Sequence, residues 1–167
     1  QTVLIHGAAG GVGHIAVQLA KLHGAKVIGT ASTNIDLLES LGVDQAINYA
    51  TTPFEDVVHD VDVVLDSIGG DTQERSWKVL KPGGVLGIVD HRWPDPKTED
   101  PAAANGYVSE QRVIADAEKA GFRFVARSEI NGNPKDTHDH PEGVWTLPPS
   151  LALGDVVDDR QYLEQAA

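Results

Sequence analysis

Seven residues near the N-terminus, Gly7-Ala8-Ala9-Gly10-Gly11-Val12-Gly13, carry the clearest chemistry in the chain. Read as Ala8-x-Gly10-x-x-Gly13, they allow a tight turn, bring main-chain N–H groups against a pyrophosphate, and pack a following helix on a sheet with its positive end toward the anion. Glycine spacing by itself is a weak signal, and the alternative is a turn that binds nothing. Strand, loop, helix and second strand in that order turn it into a dinucleotide-binding expectation. The next chemical position lies about 20 residues on, at the end of the second strand, where a carboxylate would hold a ribose diol. Here the sequence is Thr30-Ala31-Ser32-Thr33. No acid repels a 2′-phosphate at that point and the hydroxyls of Thr30, Ser32 and Thr33 can donate to one, so NADP(H) is favoured over NAD(H). Against this, residues 30 to 44 offer no Arg or Lys to pair with the phosphate. Thr33 equally suits an ordinary helix N-cap.

These positions need a scaffold, and the first ninety residues or so supply it by alternating β-branched runs with segments of helical period, the mark of βαβ units around a parallel sheet. Strands are expected at Thr2 to His6, Lys26 to Thr30, Gln45 to Tyr49, Val61 to Leu65 and Val85 to Val89. Between the first two lies a helix with Ile15, Leu19 and Leu22 on one face, stopped by Gly24. Asn34 to Leu41 predicts a short helix closed by Gly42, Thr52-Pro53 with Glu55 a helix start, and Asp71 to Leu80 another helix. After Asp90 the composition changes. Residues 91 to 107 read as a Pro- and Asp-rich loop, and Ser109 caps a helix with Val113, Ala117 and Ala120 on its apolar side, ended by Gly121. Phe122 to Arg127 predicts a sixth strand, and the proline-rich remainder an ordered surface excursion at best. The expected fold is α/β, a doubly wound Rossmann-like three-layer sandwich in one domain of residues 1–167, with a mostly parallel sheet of order 3-2-1-4-5-6.

Composition narrows the partners. A formal net charge of -12 and no basic cluster exclude a nucleic-acid backbone as a favoured partner. Cysteine is absent, which removes disulfides, thiolate catalysis and Cys-ligated zinc. No apolar run approaches the roughly 20 residues that cross a bilayer, and no signal-peptide layout stands at the N-terminus, so a cytoplasmic protein without a membrane partner is expected. The absence of methionine suggests a fragment or an engineered chain.

Other reactive side chains are weighed against plainer roles. Asp90, His91 and Arg92 leave the expected C-terminal end of strand five, where open α/β sheets place chemistry. They offer a general base with an anion clamp, or, as favoured here, a local turn with solvated charges. Asp136, His138, Asp139 and His140 bring metal ligation to mind, since alternate histidines on an extended strand face the same side, but no third ligand sits on a rigid element, and no metal site is assigned. Trp77, Trp93 and Trp145 read as packing anchors, since no basic groove accompanies them.

The stretches TVLIHGAAGGVGHIAVQLAKLHGAKVIGTAS, LGVDQAINY and FEDVVHDVDVVLDSIGGDTQERSWKVLKPGG closely resemble the cofactor domain of zinc-independent quinone oxidoreductase-like members of the medium-chain dehydrogenase/reductase superfamily. That resemblance implies pyrophosphate contacts from Gly10, Gly11 and Val12, adenosine ribose phosphate contacts from Ser32 and Thr33, an adenine-side contact from Tyr49, and an approach to the nicotinamide at Ser67 and Gly69. Where that family often carries a basic residue after the second strand, Asn34-Ile35-Asp36 stands instead. From about residue 83 to 164, GGVLGIVDHR, NGYVSEQRVIADAEKAGFRFVARSEIN and NPKDTHDHPEGVWTLPPSLALGD look like the C-terminal part of a class I S-adenosylmethionine-dependent methyltransferase. Such proteins end with an antiparallel seventh strand, which this chain, stopping at Gln165-Ala166-Ala167, does not show. The LKPGG turn at 80–84 fits both families, which points to an engineered chimera spliced there.

The expected function is therefore a dinucleotide-binding module, NADP(H) ahead of NAD(H) and S-adenosylmethionine behind both, without a complete active site or a catalytic residue of its own. The catalytic domain that the dehydrogenase resemblance implies is not in these 167 residues, so a nicotinamide would lack a pocket to orient a substrate. Weak quinone or enone reductase activity, methyltransferase-like activity and a ligand-free scaffold are the alternatives. A sheet edge left uncovered by the missing seventh strand could be covered by a second copy, which makes a homodimer a possible assembly.

Overall fold

Thr2–Ile5 (β1), Lys26–Ala31 (β2), Gln45–Asn48 (β3), Val61–Asp66 (β4) and Leu80–Ile88 (β5) pair throughout in parallel, in the order β3-β2-β1-β4-β5. The computed structural model describes residues 1–130 and 132–146. The chain divides into two compact units, Gln1–Asp90 and the residues from His91 onward.

In the first unit, consecutive strand residues point to opposite faces, and both faces are buried. Leu4, Ile28, Ile47 and Val64 join Phe54, Val58, Val61 and Val79 on one side. Ile5, Val27 and Ala31 join Val17, Leu38 and Ala8 on the other. This double burial explains why TVLI and KVIGTA are continuous apolar runs rather than alternating ones. Each fully buried Leu or Ile side chain contributes about 1.5–3 kcal/mol relative to exposure.

The second face is covered by Gly11–Leu22 (α1) and Ile35–Ser40 (α2). Here the structure corrects the sequence expectation. Ile15, Leu19 and Leu22, the apolar stripe of α1, are exposed, while Gly13 and Val17 are buried with Ala16 and Ala20 packed beside them. Small residues let the helix axis approach the sheet closely, which a larger side chain at Gly13 would prevent.

Gly70–Ser76 (α3) ends before the expected Leu80, because Leu80 already pairs with Val61 as the first residue of β5. The register then shifts between Val61 and Val63, where Lys81-Pro82-Gly83-Gly84 forms an irregular insertion with Gly83 at φ 78°. The helix expected from Thr52-Pro53 is a single 3₁₀ turn, Phe54–Asp56, which buries Phe54.

The second unit departs further from expectation. His91–Arg92 (β6) and Tyr107–Val108 (β7) make a separate two-stranded parallel sheet. Glu110–Lys119 (α4) follows, its N-terminus capped as expected by Ser109, whose Oγ accepts from Arg112 N at 3.3 Å. The sixth strand expected at Phe122 to Arg127 does not form among the described residues: residues 122–129 are irregular there, and Val125 and Ile130 lie exposed. The observed order thus stops at β5. The expectations for residues 147–167, including the missing seventh strand, lie outside the described residues. Among the described residues no helix is long and apolar enough to cross a membrane.

Candidate functional site

The C-terminal ends of β1, β2 and β4 open onto a cleft of about 380 Å³ lined by the glycine loop, by Ala31 to Asn34, by Tyr49 and by Ser67 with Ile68. This is where an open parallel sheet binds ligands, because the first crossover delivers a helix N-terminus there.

Local geometry explains the loop. Gly7 has φ 58°, and Gly10 N–H donates to Gly7 O at 2.8 Å, closing the turn. A Cβ built on Gly13 would lie 2.2 Å from Gly7 O and 2.6 Å from Ala8 Cα, so only glycine lets α1 sit on the loop. At Gly11 a Cβ would meet nothing within 4 Å, since that position faces the open cleft. No side chain caps α1 at Gly10. The first-turn N–H groups of Gly11 and Val12 therefore keep their donor capacity, at the positive end of the helix dipole. Among the described residues no charged side chain lines the cleft.

At its far side Tyr49 Oη donates to Ser32 Oγ at 2.9 Å, linking the ends of β3 and β2. Asn34, at φ 55°, occupies the left-handed conformation just before α2. At the opposite side, Asp66 Oδ1 accepts from Ile68 N at 2.8 Å and Gly69 N at 3.0 Å, fixing the turn that presents Ser67 and Ile68. Asp66 Oδ2 is buried and has no hydrogen-bond partner among the described residues.

Of the site residues expected from sequence, Gly10, Gly11, Val12, Gly13, Ser32, Thr33, Tyr49 and Ser67 line this cleft. Three do not. Ala8 is fully buried and its N–H is already donated to Thr30 O at 2.8 Å. Thr30 is buried with its hydroxyl 3.0 Å from His6 Nδ1. Gly69, at φ 74°, is the N-cap of α3. Ala8 and Thr30 shape the cleft from behind rather than facing it. Sequence reasoning did not single out Gly7, Ala9, Ala31, Asn34 and Ile68 as site residues, though they line the cleft. Asn34 had a usable signal, being the residue type that best tolerates positive φ after Ser-Thr.

It also missed His6. This side chain is 2 % exposed and lies under the cleft, with Nε2 2.9 Å from Ser76 Oγ and its ring edge-on to Phe54 at 4.6 Å. Burial is the main cause that holds its pKa down to about 4, with Asp66 and Glu55 opposing and Arg75 adding to the shift. A polar residue closing an otherwise apolar strand was the only trace in the sequence.

The remaining candidates are engaged elsewhere. Arg92 makes paired contacts to Glu129 at 2.8 and 2.6 Å and a further one to Glu110 at 3.5 Å, so its guanidinium is not an open anion clamp. Asp136 accepts from Tyr107 Oη at 3.1 Å and from His138 N at 3.0 Å, and lies 3.2 Å from His140 Nε2. Among the described residues no three His, Asp or Glu side chains form a metal-ligand set, and the sequence contains no cysteine. Trp93 packs edge-on against Tyr107 and His138, and its Nε1 donates to Thr98 Oγ1 at 3.1 Å, an anchoring role in the second unit.

Comparison with known proteins places this geometry in context. The family described as zinc-binding dehydrogenase matches residues 11–129. A 2-haloacrylate reductase of Burkholderia sp. is 40% identical over 136 residues, which cover 77% of this chain and 37% of the reductase. Among solved structures, the quinone oxidoreductase of Coxiella burnetii superposes with a TM-score of 0.57 at 35% identity, covering 78% of this chain and 38% of that one. The Escherichia coli quinone oxidoreductase, solved in complex with NADPH, gives 0.56 at 31% identity over 80% of this chain and 39% of its own. The chain thus spans under two fifths of these relatives. The family match runs unbroken through the LKPGG turn to residue 129. A methyltransferase-derived segment, a splice at that turn and the lack of a complete active site find no support in these likenesses.

Proposed function

Because the chain belongs to the zinc-binding dehydrogenase family, we propose that Gln1–Asp90 binds a nicotinamide dinucleotide in the cleft above α1, as the coenzyme module of a reductase. The observation that carries this reading is the uncapped N-terminus of α1, with Gly11 and Val12 presenting amides at a cleft that contains no carboxylate. A pyrophosphate there gains hydrogen bonds and the helix field and meets no like charge.

NADP(H) stands ahead of NAD(H). The ribose end offers the hydroxyls of Ser32, Thr33 and Tyr49 and no acid to hold a diol, which is the pattern a 2′-phosphate tolerates. The Ser67-Ile68 turn, held by Asp66, is the side assigned to the nicotinamide. When bound, the coenzyme supplies a hydride; the residues described here bind it, orient it and shape the face it presents. The substrate class is an electron-poor double bond or a quinone, as the names of the haloacrylate and quinone reductases suggest.

Thermal unfolding with NADPH, NADH and S-adenosylmethionine in parallel tests the assignment, since a ligand bound by the native state alone raises Tm through mass action. NADPH is expected to raise Tm most and S-adenosylmethionine not at all. Stabilisation by S-adenosylmethionine alone overturns the proposal.

A further inference from the structure

His6 ties together β1, β2 and α3, the helix that follows the Ser67-Ile68 turn. It sits just beyond β1 and just before Gly7, its Nδ1 meets Thr30 on β2 at 3.0 Å, and its Nε2 meets Ser76 on α3 at 2.9 Å. The direction of each bond follows from counting protons. Ser76 Oγ donates its single hydrogen to Thr72 O at 2.6 Å, so toward His6 it can only accept. His6 Nε2 must then carry a proton and donate it. In a neutral ring Nδ1 is consequently an acceptor, and Thr30 Oγ1 donates to it. Every polar atom in the chain Thr30–His6–Ser76–Thr72 is satisfied in this one arrangement.

A second proton on the ring has no place in it. Nδ1 would become a donor facing a hydroxyl that is itself donating, in a site closed to water. The charged groups around the ring are Asp66 from β4, Arg75 from α3 and Glu55 from the 3₁₀ turn, of mixed sign. The main-chain carbonyl of Thr30 also accepts from Ala8 N, so the residue that meets His6 through its hydroxyl holds the root of the glycine loop through its backbone.

We propose that His6 is a positioning residue of the dinucleotide cleft, acting as the neutral Nε2–H tautomer that fixes the glycine loop, the ribose side and the Ser67-Ile68 turn relative to one another. The inference rests on the coenzyme assignment made above. It predicts that coenzyme affinity depends on a hydroxyl at position 30 that the coenzyme does not touch.

The experiment measures the Kd of NADPH by fluorescence titration for the wild-type chain, Thr30→Val and Thr30→Ser, together with long-range proton–nitrogen NMR of the histidine rings. Thr30→Val keeps the volume and removes the donor, and should weaken binding about tenfold, the effect of one buried polar atom losing its partner. Thr30→Ser restores the hydroxyl and should return the Kd to within about twofold of wild type. The NMR spectrum of the wild-type chain should show His6 as Nε2–H and still neutral at pH 6. If Thr30→Val does not fold, the tautomer and its pH profile in the wild-type chain still decide. Wild-type binding with an unchanged Kd in folded Thr30→Val, or a His6 that is the Nδ1–H tautomer or charged at pH 6, overturns the inference and leaves the coenzyme assignment standing. Failure of the wild-type chain to bind NADPH at pH 7.5 overturns both.

Discussion

A Cβ placed on Gly13 would stand 2.2 Å from the carbonyl oxygen of Gly7, closer than any real contact of that type. The obstacle is backbone on both sides, so neither can yield without moving the loop or α1. Gly13→Ala is expected to destabilise the chain by about 1–3 kcal/mol through overpacking. Urea unfolding followed by circular dichroism measures it, and a midpoint equal to that of the wild type refutes the close-packing account.

Gly11 behaves oppositely, because its Cβ would meet open space. Gly11→Asp should leave the fold intact but set a carboxylate among the amides proposed to hold the pyrophosphate. NADPH affinity is expected to fall at least tenfold, from lost access and like-charge repulsion. Titration of a variant whose unfolding midpoint matches wild type separates this from misfolding, and an unchanged Kd places the pyrophosphate elsewhere.

Tyr49 Oη donates to Ser32 Oγ at 2.9 Å and so holds the hydroxyl that is proposed to meet the ribose phosphate. Tyr49→Phe frees that hydroxyl to rotate. The expected result is a loss of about fivefold in NADPH affinity, the size of one ordinary hydrogen bond, with NADH changed much less. Equal losses for the two coenzymes would show that the pair does not face a 2′-phosphate.

His6 makes stability depend on pH in a defined direction. Its folded-state pKa is lowered to about 4 by burial, against an unfolded value of 6.5. The unfolded chain therefore takes up a proton at this site across that window while the folded chain does not. Stability from a neutral His6 is complete above pH 6.5 and is lost as pH falls toward 4, by on the order of 3 kcal/mol in all. His6→Phe, which keeps an aromatic ring against Phe54, should flatten this part of the profile. Denaturant midpoints at pH 7.5 and 5.5 for both chains supply the comparison, and parallel slopes would exclude His6 as the source.

The sequence made the first unit readable because its signals were local. Buried strands declared themselves as apolar runs, and the glycine loop lay between a strand and a helix, so the parallel order and most of the cleft lining followed. Ile15, Leu19 and Leu22 misled because periodicity shows that a helix has an apolar stripe without showing which side is packed. The small residues at 13, 16 and 20 decided it. Phe122 to Arg127 misled for a related reason: a strand-like run becomes a strand only where a partner edge is available, and that is a non-local fact.

By itself the sequence determined that a dinucleotide-type turn opens the first crossover and that no acid stands at the ribose position, since both depend on residue type and short spacing. Only the tertiary structure decided that Thr30 and Ala8 support the cleft from behind, and that His6, Thr30 and Ser76, drawn from three separate elements, share one network of hydrogen bonds. The reason is physical: which way a side chain points, and whether its protons find acceptors, is fixed by packing between segments far apart in the chain, and no local pattern records it.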